Sequence, residues 1–224
     1  MATVDWQPFQ GKDLPKYGFT AEIARQALAR KGHTFDLKFM PWARAVEEVK
    51  AGKYHALFNP WKGTDNEKSY YFSKEIMGSG DGHFLALADS KLHNLGPDGL
   101  KGMRIGFVRA YSVSDELSAL FKSGDVKRTE VEKVNQLIKM IRAGRIDIIL
   151  ENQLVAQHVF KTHYPKQNFD LKIVGKDLID GSLYIGWSKK KFGSKKLRDD
   201  FDAAIGEMRN DGTIEKIMEE FGVN

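Results

Sequence analysis

Cysteine is absent from this chain of 224 residues, so disulfides, thiolate nucleophiles and cysteine-ligated zinc are excluded. Long apolar runs are missing too: none approaches the roughly 18 residues that cross a bilayer. Met1 to Phe9 has neither the charged start nor the apolar stretch of a signal peptide. The chain therefore reads as a cytosolic protein or as the mature part of an exported one. The histidines, His33, His55, His83, His93, His158 and His163, show no ligand spacing such as HExxH. There is no GxSxG, no Walker-type loop and no GxGxxG after a strand. The glycine-rich GSGDGH at Gly78 to His83 precedes a strand-like segment and reads as a turn. No metal, cofactor or catalytic residue is expected. Glu151 with His55 can be drawn as an acid–base pair, but His55 inside a strand is better read as packed or surface.

What is present favours folding. A hydrophobic content of 42% supports packed cores in one large domain or two small ones. The net charge of +5 permits an anionic partner without demanding one. The most basic stretch, Lys189, Lys190, Lys191, Lys195 and Lys196, contains one Phe and no stacking series, so it reads as a solvated face and no nucleic acid is expected.

Three landmarks recur at an offset of 92 residues: Thr20 and Ser112, Gly32 and Gly124, Gly52 and Gly144. VEEVKAGKYHALFN and LIKMIRAGRIDIILEN each read as an amphipathic helix, a glycine stop and a short apolar strand. The spacing predicts a helix over 20–31, a strand over 34–40, a helix from Pro41 to Gly52 and a strand over 54–58. The second half predicts strands over 103–108, 126–131 and 146–150, with helices over 112–122 and 134–142 between them. Helices of this length between strands imply right-handed crossovers and parallel sheets. The segments 83–88 and 182–188 are strand-like and flank the second half, so they are expected to cross between lobes. The fold class is α/β, two lobes joined by a two-strand hinge, with lobe one at 1–87 plus 184–224 and lobe two at 88–183. Leu197, Phe201, Ile205 and Met208, then Ile214, Ile217, Met218 and Phe221, form the apolar stripes of two helices in the tail.

Ligands of open parallel sheets lie beyond the carboxyl ends of the strands. Those ends carry Phe9 to Gly11, Phe58 to Trp61, Arg109 to Ser112, and Glu151 with Asn152. Trp6, Phe9, Phe58 and Trp61 are candidates for an aromatic wall, with core packing as the other reading. Trp6 gains from Pro8, which is expected to keep its segment extended, and Trp61 from its place after Asn59-Pro60. Helix N-termini opened by Thr20 and Ser112 attract anions, and Ser112, with Asp115 three residues on, is read as a cap or as a ligand contact.

WQPFQ, YGFTAEIARQAL, AGKYHALFNPW, YYFSKEI, KGMRIGFVRAYS, AGRIDIILEN and MRNDGTIEKIMEEFG, in this order, resemble the family 3 extracellular solute-binding proteins over nearly the whole length. PWARA resembles a less characterised branch of that family. The resemblance implies the type II periplasmic binding protein fold and a non-catalytic, monomeric receptor in the periplasm or otherwise outside the cytoplasm. Such a receptor closes on a small polar solute, amino-acid-like or related, and delivers it to the membrane permease of an ABC importer. A ligand-binding sensor domain with a signalling partner, or a dehydratase-type enzyme on the same scaffold, is the alternative. In the family an arginine shortly before the Phe-Ser pair grips the ligand carboxylate, and an acid at the end of the second-lobe strand accepts the ammonium. Counting from Phe72 and Asp147 places Asn66 and Asn152 at these positions, with Glu151 beside the second. Arg44, Lys62 and Arg109 remain as candidate cations, and Tyr111 as a further contact. Neutral asparagine cannot replace the bidentate charge of arginine, so an ordinary α-amino acid is not the expected ligand.

Overall fold

Ile23, Ala24, Ala27 and Leu28 recur at three- and four-residue spacing, and they form the buried face of helix α1 (Phe19–Arg30). This computed structural model of the chain describes residues 1–78, 80–176 and 181–223. The first half continues with β1 (Ala2–Thr3), β2 (Lys38–Phe39), α2 (Trp42–Lys50), β3 (Ala56–Phe58), the single turn α3 (Thr64–Glu67) and β4 (Tyr70–Phe72). The second contains β5 (His83–Leu87), β6 (Arg104–Val108), α4 (Asp115–Ser123), β7 (Lys127–Val131), α5 (Val134–Arg142), β8 (Ile148–Glu151), α6 (Gln153–His163) and β9 (Leu171–Lys176). The chain then returns through β10 (Ile185–Ser188) and closes with α7 (Ser194–Asn210) and α8 (Thr213–Glu220).

Two five-stranded sheets result, ordered β2-β1-β3-β10-β4 and β7-β6-β8-β5-β9. The repeated units supply the parallel pairs: β1 with β2 and β3, and β6 with β7 and β8. The crossing strands pair antiparallel, β10 with β3 and β4, and β5 with β8 and β9. Among the described residues no helix is long and apolar enough to cross a membrane.

The internal repeat survives in three dimensions where helix and strand follow a glycine stop. Both α2 and α5 are nine residues long and start 92 residues apart, as do β3 and β8. Gly52 and Gly144, which end those helices, have φ of +82° and +64°, a left-handed geometry that glycine enters without steric cost. The correspondence fails at the first helices. Thr20 is the second residue of α1 and its hydroxyl donates to Phe9 O at 2.8 Å, while Ser114, not Ser112, caps α4 by accepting from Leu117 N.

Other expectations need correction. The strand over 34–40 shrinks to Lys38–Phe39 because it pairs only with the two residues of β1. β5 is hydrogen-bonded on both sides to second-sheet strands, so the lobe boundary expected after residue 87 falls before His83. The crossing is made earlier, where Met77 bridges Leu183. Of the range 88–183, residues 177–180 lie outside the described residues, as does Ser79 of GSGDGH. The tail helices pack on α1, joined by Arg30–Asp211 at 2.7 Å and Lys31–Glu207 at 2.6 Å, while Phe201 meets Trp187 of β10 in the core below.

Two glycine-to-alanine changes should act in opposite directions. Gly144 has room for a methyl group but a positive φ, so Gly144→Ala should lower stability by about 1 kcal/mol. Gly206, inside α7 with nothing within 4 Å of where a methyl would stand, should tolerate Ala and gain about 0.5–1 kcal/mol. Urea unfolding of the two variants checks the signs; a loss of stability on Gly206→Ala rejects the helix geometry described for that position.

Candidate functional site

The carboxyl ends of β1, β3, β6 and β8 face one another across the two sheets. After β1 the chain folds into a tight turn, with Trp6 N donating to Gln10 O at 2.9 Å and Phe9 N to Trp6 O at 3.1 Å. The segment is thus turned rather than extended as Pro8 suggested. The turn aims the Trp6 indole at the second sheet, where Nε1 donates to Glu151 Oε1 at 3.0 Å. Tyr111, after β6, donates to Glu151 Oε2 at 3.0 Å, and the backbone N–H of Asn152 donates to Oε1 at 2.8 Å. The Glu151 side chain belongs to a residue with no solvent exposure.

Burial pushes the Glu151 carboxyl up from its ordinary 4.5 to about 7, against the opposing pull of Trp6, Asn152 N–H and Tyr111. The Tyr111 hydroxyl is raised in turn, by burial first and then by the neighbouring carboxylate.

Four aromatic rings cluster here, two of them, Trp6 and Tyr111, bonded to this carboxylate. Trp6 meets Trp61 at 82° with 6.3 Å between centroids, Trp61 meets Tyr111 at 65° and 4.8 Å, and Trp42 meets Tyr111 at 83° and 6.3 Å. The other two indole nitrogens are also tied to protein acceptors, Trp42 to Ala110 O at 3.1 Å and Trp61 to Gly80 O at 2.7 Å. With Val4, Gln10, Asn59 and Ser112 the rings enclose a cavity of about 20 Å³, room for a single water-sized body. A wider groove of about 490 Å³ shares Tyr111 and Ser112 and opens outward between α2 and α4. Two non-glycine residues with left-handed backbone, Asn59 at φ 56° and Ala110 at φ 64°, sit at the strand ends here, and such strain gathers at functional sites.

The structure brings together Trp6, Asn59, Trp61, Tyr111 and Ser112 of the sequence-derived candidates around the cavity, with Glu151 behind Trp6 and Tyr111. Asn66 lies beside them: its Nδ2 donates to Ser112 Oγ and to Trp61 O at 3.2 Å. Ser112 is therefore a cleft residue and not a helix cap. Other candidates are placed elsewhere. Phe9 stacks behind Trp6 at 4.6 Å, and Phe58 points into the first core against Phe35. Asn152 caps α6, accepting from Leu154 N at 2.9 Å, and donates to Asp81 O. Arg44 pairs with Glu48 at 2.8 Å and Arg109 with Glu132 at 2.8 Å, both on the solvent side of their elements. Lys62 leans over Tyr184, 5.7 Å from its ring, beside Glu67. His55 is exposed at the opposite end of β3, so the imagined Glu151–His55 pair does not form. Trp42 is a site residue that sequence reasoning missed, and Gln10 fell within the strand end at Phe9 to Gly11 without being singled out. The signal for Trp42 was Pro41, which places the next residue at the start of a helix that leaves a strand end.

The sequence model of the bacterial extracellular solute-binding proteins, family 3, matches residues 2–224. The L-cystine-binding protein TcyA of Bacillus subtilis (strain 168) is 26% identical over 219 residues, covering 96% of this chain and 77% of its own. An ancestral arginine-binding protein bound to arginine superposes with a TM-score of 0.78 at 21% identity, over 98% of this chain and 95% of that one. A histidine kinase sensor domain with similarity to periplasmic binding proteins superposes at 0.77 and 16% identity, over 98% and 93%. At these identities the two solved structures establish the shared fold.

The raised carboxyl has a measurable consequence. Between about pH 4.5 and 7 the folded protein holds a proton on Glu151 that the unfolded chain has released, so this group's contribution to stability falls as pH rises through that window. Glu151→Gln removes the titration while keeping a similar shape. Its stability relative to the wild type should rise between pH 5 and pH 8 by on the order of 3 kcal/mol. Thermal unfolding of both proteins across this range is the measurement, and a difference independent of pH rejects the raised value.

Proposed function

The chain belongs to the bacterial extracellular solute-binding proteins, family 3, and from that premise we propose that its cleft takes one small polar solute at the Trp6, Asn59, Trp61, Tyr111, Ser112 and Glu151 end of the strands. The solute is passed unchanged to the membrane permease of an ABC importer, on the outer side of the cytoplasmic membrane. The observation that carries this reading is the Trp6–Glu151 hydrogen bond, which joins a side chain of the turn after β1 to the last residue of β8 across the cleft. Polar contacts of this kind can open and re-form when the two sheets part, and a cavity of 20 Å³ must enlarge before it admits an organic solute. We take the crossing segments around Met77 and Leu183 as the hinge of that motion.

No reaction is needed at this site. The hydrogen-bond partners of Glu151 are an indole, a phenol and a backbone amide, none of them arranged as an activated nucleophile. Cystine and arginine, the solutes in the names of the relatives above, are the starting point for this chain's solute class. The asparagines at 66 and 152 set it apart from a plain α-amino-acid receptor.

A solute at 100 times its Kd stabilises the folded protein by about 2.7 kcal/mol, which for a chain of this size raises Tm by roughly 5–11 °C. A thermal-shift screen over amino acids, amines, organic acids, small peptides and polyols should find such a compound, and mass spectrometry of the recovered material should return it unaltered. Three of the four tryptophans stand at the cleft, so the same compound should change the intrinsic fluorescence, and Trp61→Phe should reduce that change while Trp187→Phe retains it. Shifts below a degree across the whole library, or a chemically altered product, reject the receptor reading.

A further inference from the structure

We propose, resting on the receptor reading above, that the solute is a small protonated amine without a carboxylate, held in the aromatic box and hydrogen-bonded to the side-chain oxygen of Asn59. The direction of the hydrogen bonds beneath the box points to this class. Thr20 Oγ1 lies 2.8 Å from Phe9 O, and Thr3 Oγ1 lies 3.2 Å from Phe58 O. A carbonyl can only accept, so each hydroxyl spends its one hydrogen there. Thr20 Oγ1 must then accept from Asn59 Nδ2 at 3.1 Å, and Thr3 Oγ1 from Gln10 Nε2 at 3.3 Å. Gln10 Oε1 is thereby turned to Asn59 and accepts its other amide hydrogen at 2.7 Å. Two backbone carbonyls thus orient both amides. The Oδ1 atom of Asn59 is left buried and without a partner, in a residue only 6% exposed that lines the cavity. A buried acceptor left open on a residue of the cavity wall can take a hydrogen from a donor that the cavity admits.

The rest of the wall fits a cation. The indole N–H groups of Trp6, Trp42 and Trp61 and the Tyr111 hydroxyl are all spent on protein acceptors, so what these residues offer a guest is their rings. Such rings attract an ammonium, most strongly when it has left water. Trp6 and Tyr111 both donate to the Glu151 carboxylate, which places negative charge directly behind two walls of the box. Polarising those donors makes their rings more attractive to a cation. Among the described residues, no lysine or arginine lines the cavity. Asn66, in the position that the family resemblance gives to a carboxylate-gripping arginine, is engaged with Ser112 and Trp61 O. A carboxylate drawn into this box would lose its hydration and meet no opposite charge.

Matched pairs of amine and parent amino acid isolate the carboxylate. Isothermal titration at pH 8 with agmatine and arginine, cadaverine and lysine, histamine and histidine, and isoamylamine and leucine supplies the comparison, extended by the two- to six-carbon mono- and diamines. The proposal expects at least one amine to bind, and its parent amino acid to bind at least about ten-fold more weakly, given the cost of burying an unpaired carboxylate. Glu151→Gln should weaken that amine several-fold by removing the charge, and Asn59→Gly, which the left-handed backbone tolerates, should weaken it too by removing the acceptor. Amino acids binding as well as their amines, or only neutral or anionic compounds binding in the thermal screen, overturn the cation assignment and leave the receptor reading standing. A screen in which no compound binds overturns both.

Discussion

A carboxylate with no solvent exposure is costly to keep charged, and the cleft of this protein is organised around meeting that cost at Glu151. One donor comes from its own neighbour, one from the loop after β6, and one from Trp6 in the turn after β1, in the other half of the molecule. The third requires the two halves to stand close enough for an indole to reach across. That reach depends on the turn at Trp6 to Gln10, and the turn depends on the short β1 between β2 and β3. The carboxyl's rise to about 7 shows that three donors only partly offset its burial.

Around that charge the aromatic rings are held by bonds to backbone. Trp42 is tied to Ala110 O and Trp61 to Gly80 O, so residues near both the β6 loop and the crossing segment fix the orientation of the walls. Ala110 holds a left-handed φ, and its carbonyl is the acceptor for Trp42, so local strain and wall geometry meet at one residue. Because these ties join the two halves, parting the sheets loosens box and charge together. On the proposed receptor reading, binding and closure draw on the same few contacts.

The repeat, the glycine stops and the apolar stripes were legible in the sequence because each rests on local chemistry. Gly52 and Gly144 mark helix ends by their backbone freedom, and α5 spans the residues that its periodicity predicts. Glu151, Tyr111 and Trp61 were legible as strand-end residues, since the parallel units dictate where strands end. Less was visible where pairing decides the outcome. The strand over 34–40 shortened for want of a longer partner, and β5 joined the second sheet because β8 and β9 both bond to it. Helix α6, strand β9 and strand β4 have weak local patterns and take their form from their neighbours.

By itself the sequence determined two α/β units, a family and a set of loops rich in aromatic and polar side chains, because periodicity, glycine placement and motif order are properties of neighbours along the chain. Only the tertiary structure decided which of those side chains meet. Phe58 and Trp61 lie three residues apart, yet one fills the core and the other walls the cavity, since β3 ends at Phe58 and the chain turns at left-handed Asn59 before it reaches Trp61. Arg44, Arg109 and Asn152 found partners within their own half of the molecule, whereas Trp6 and Glu151, 145 residues apart, found each other. A hydrogen bond over that separation has no local signature. It follows from the packing of two sheets.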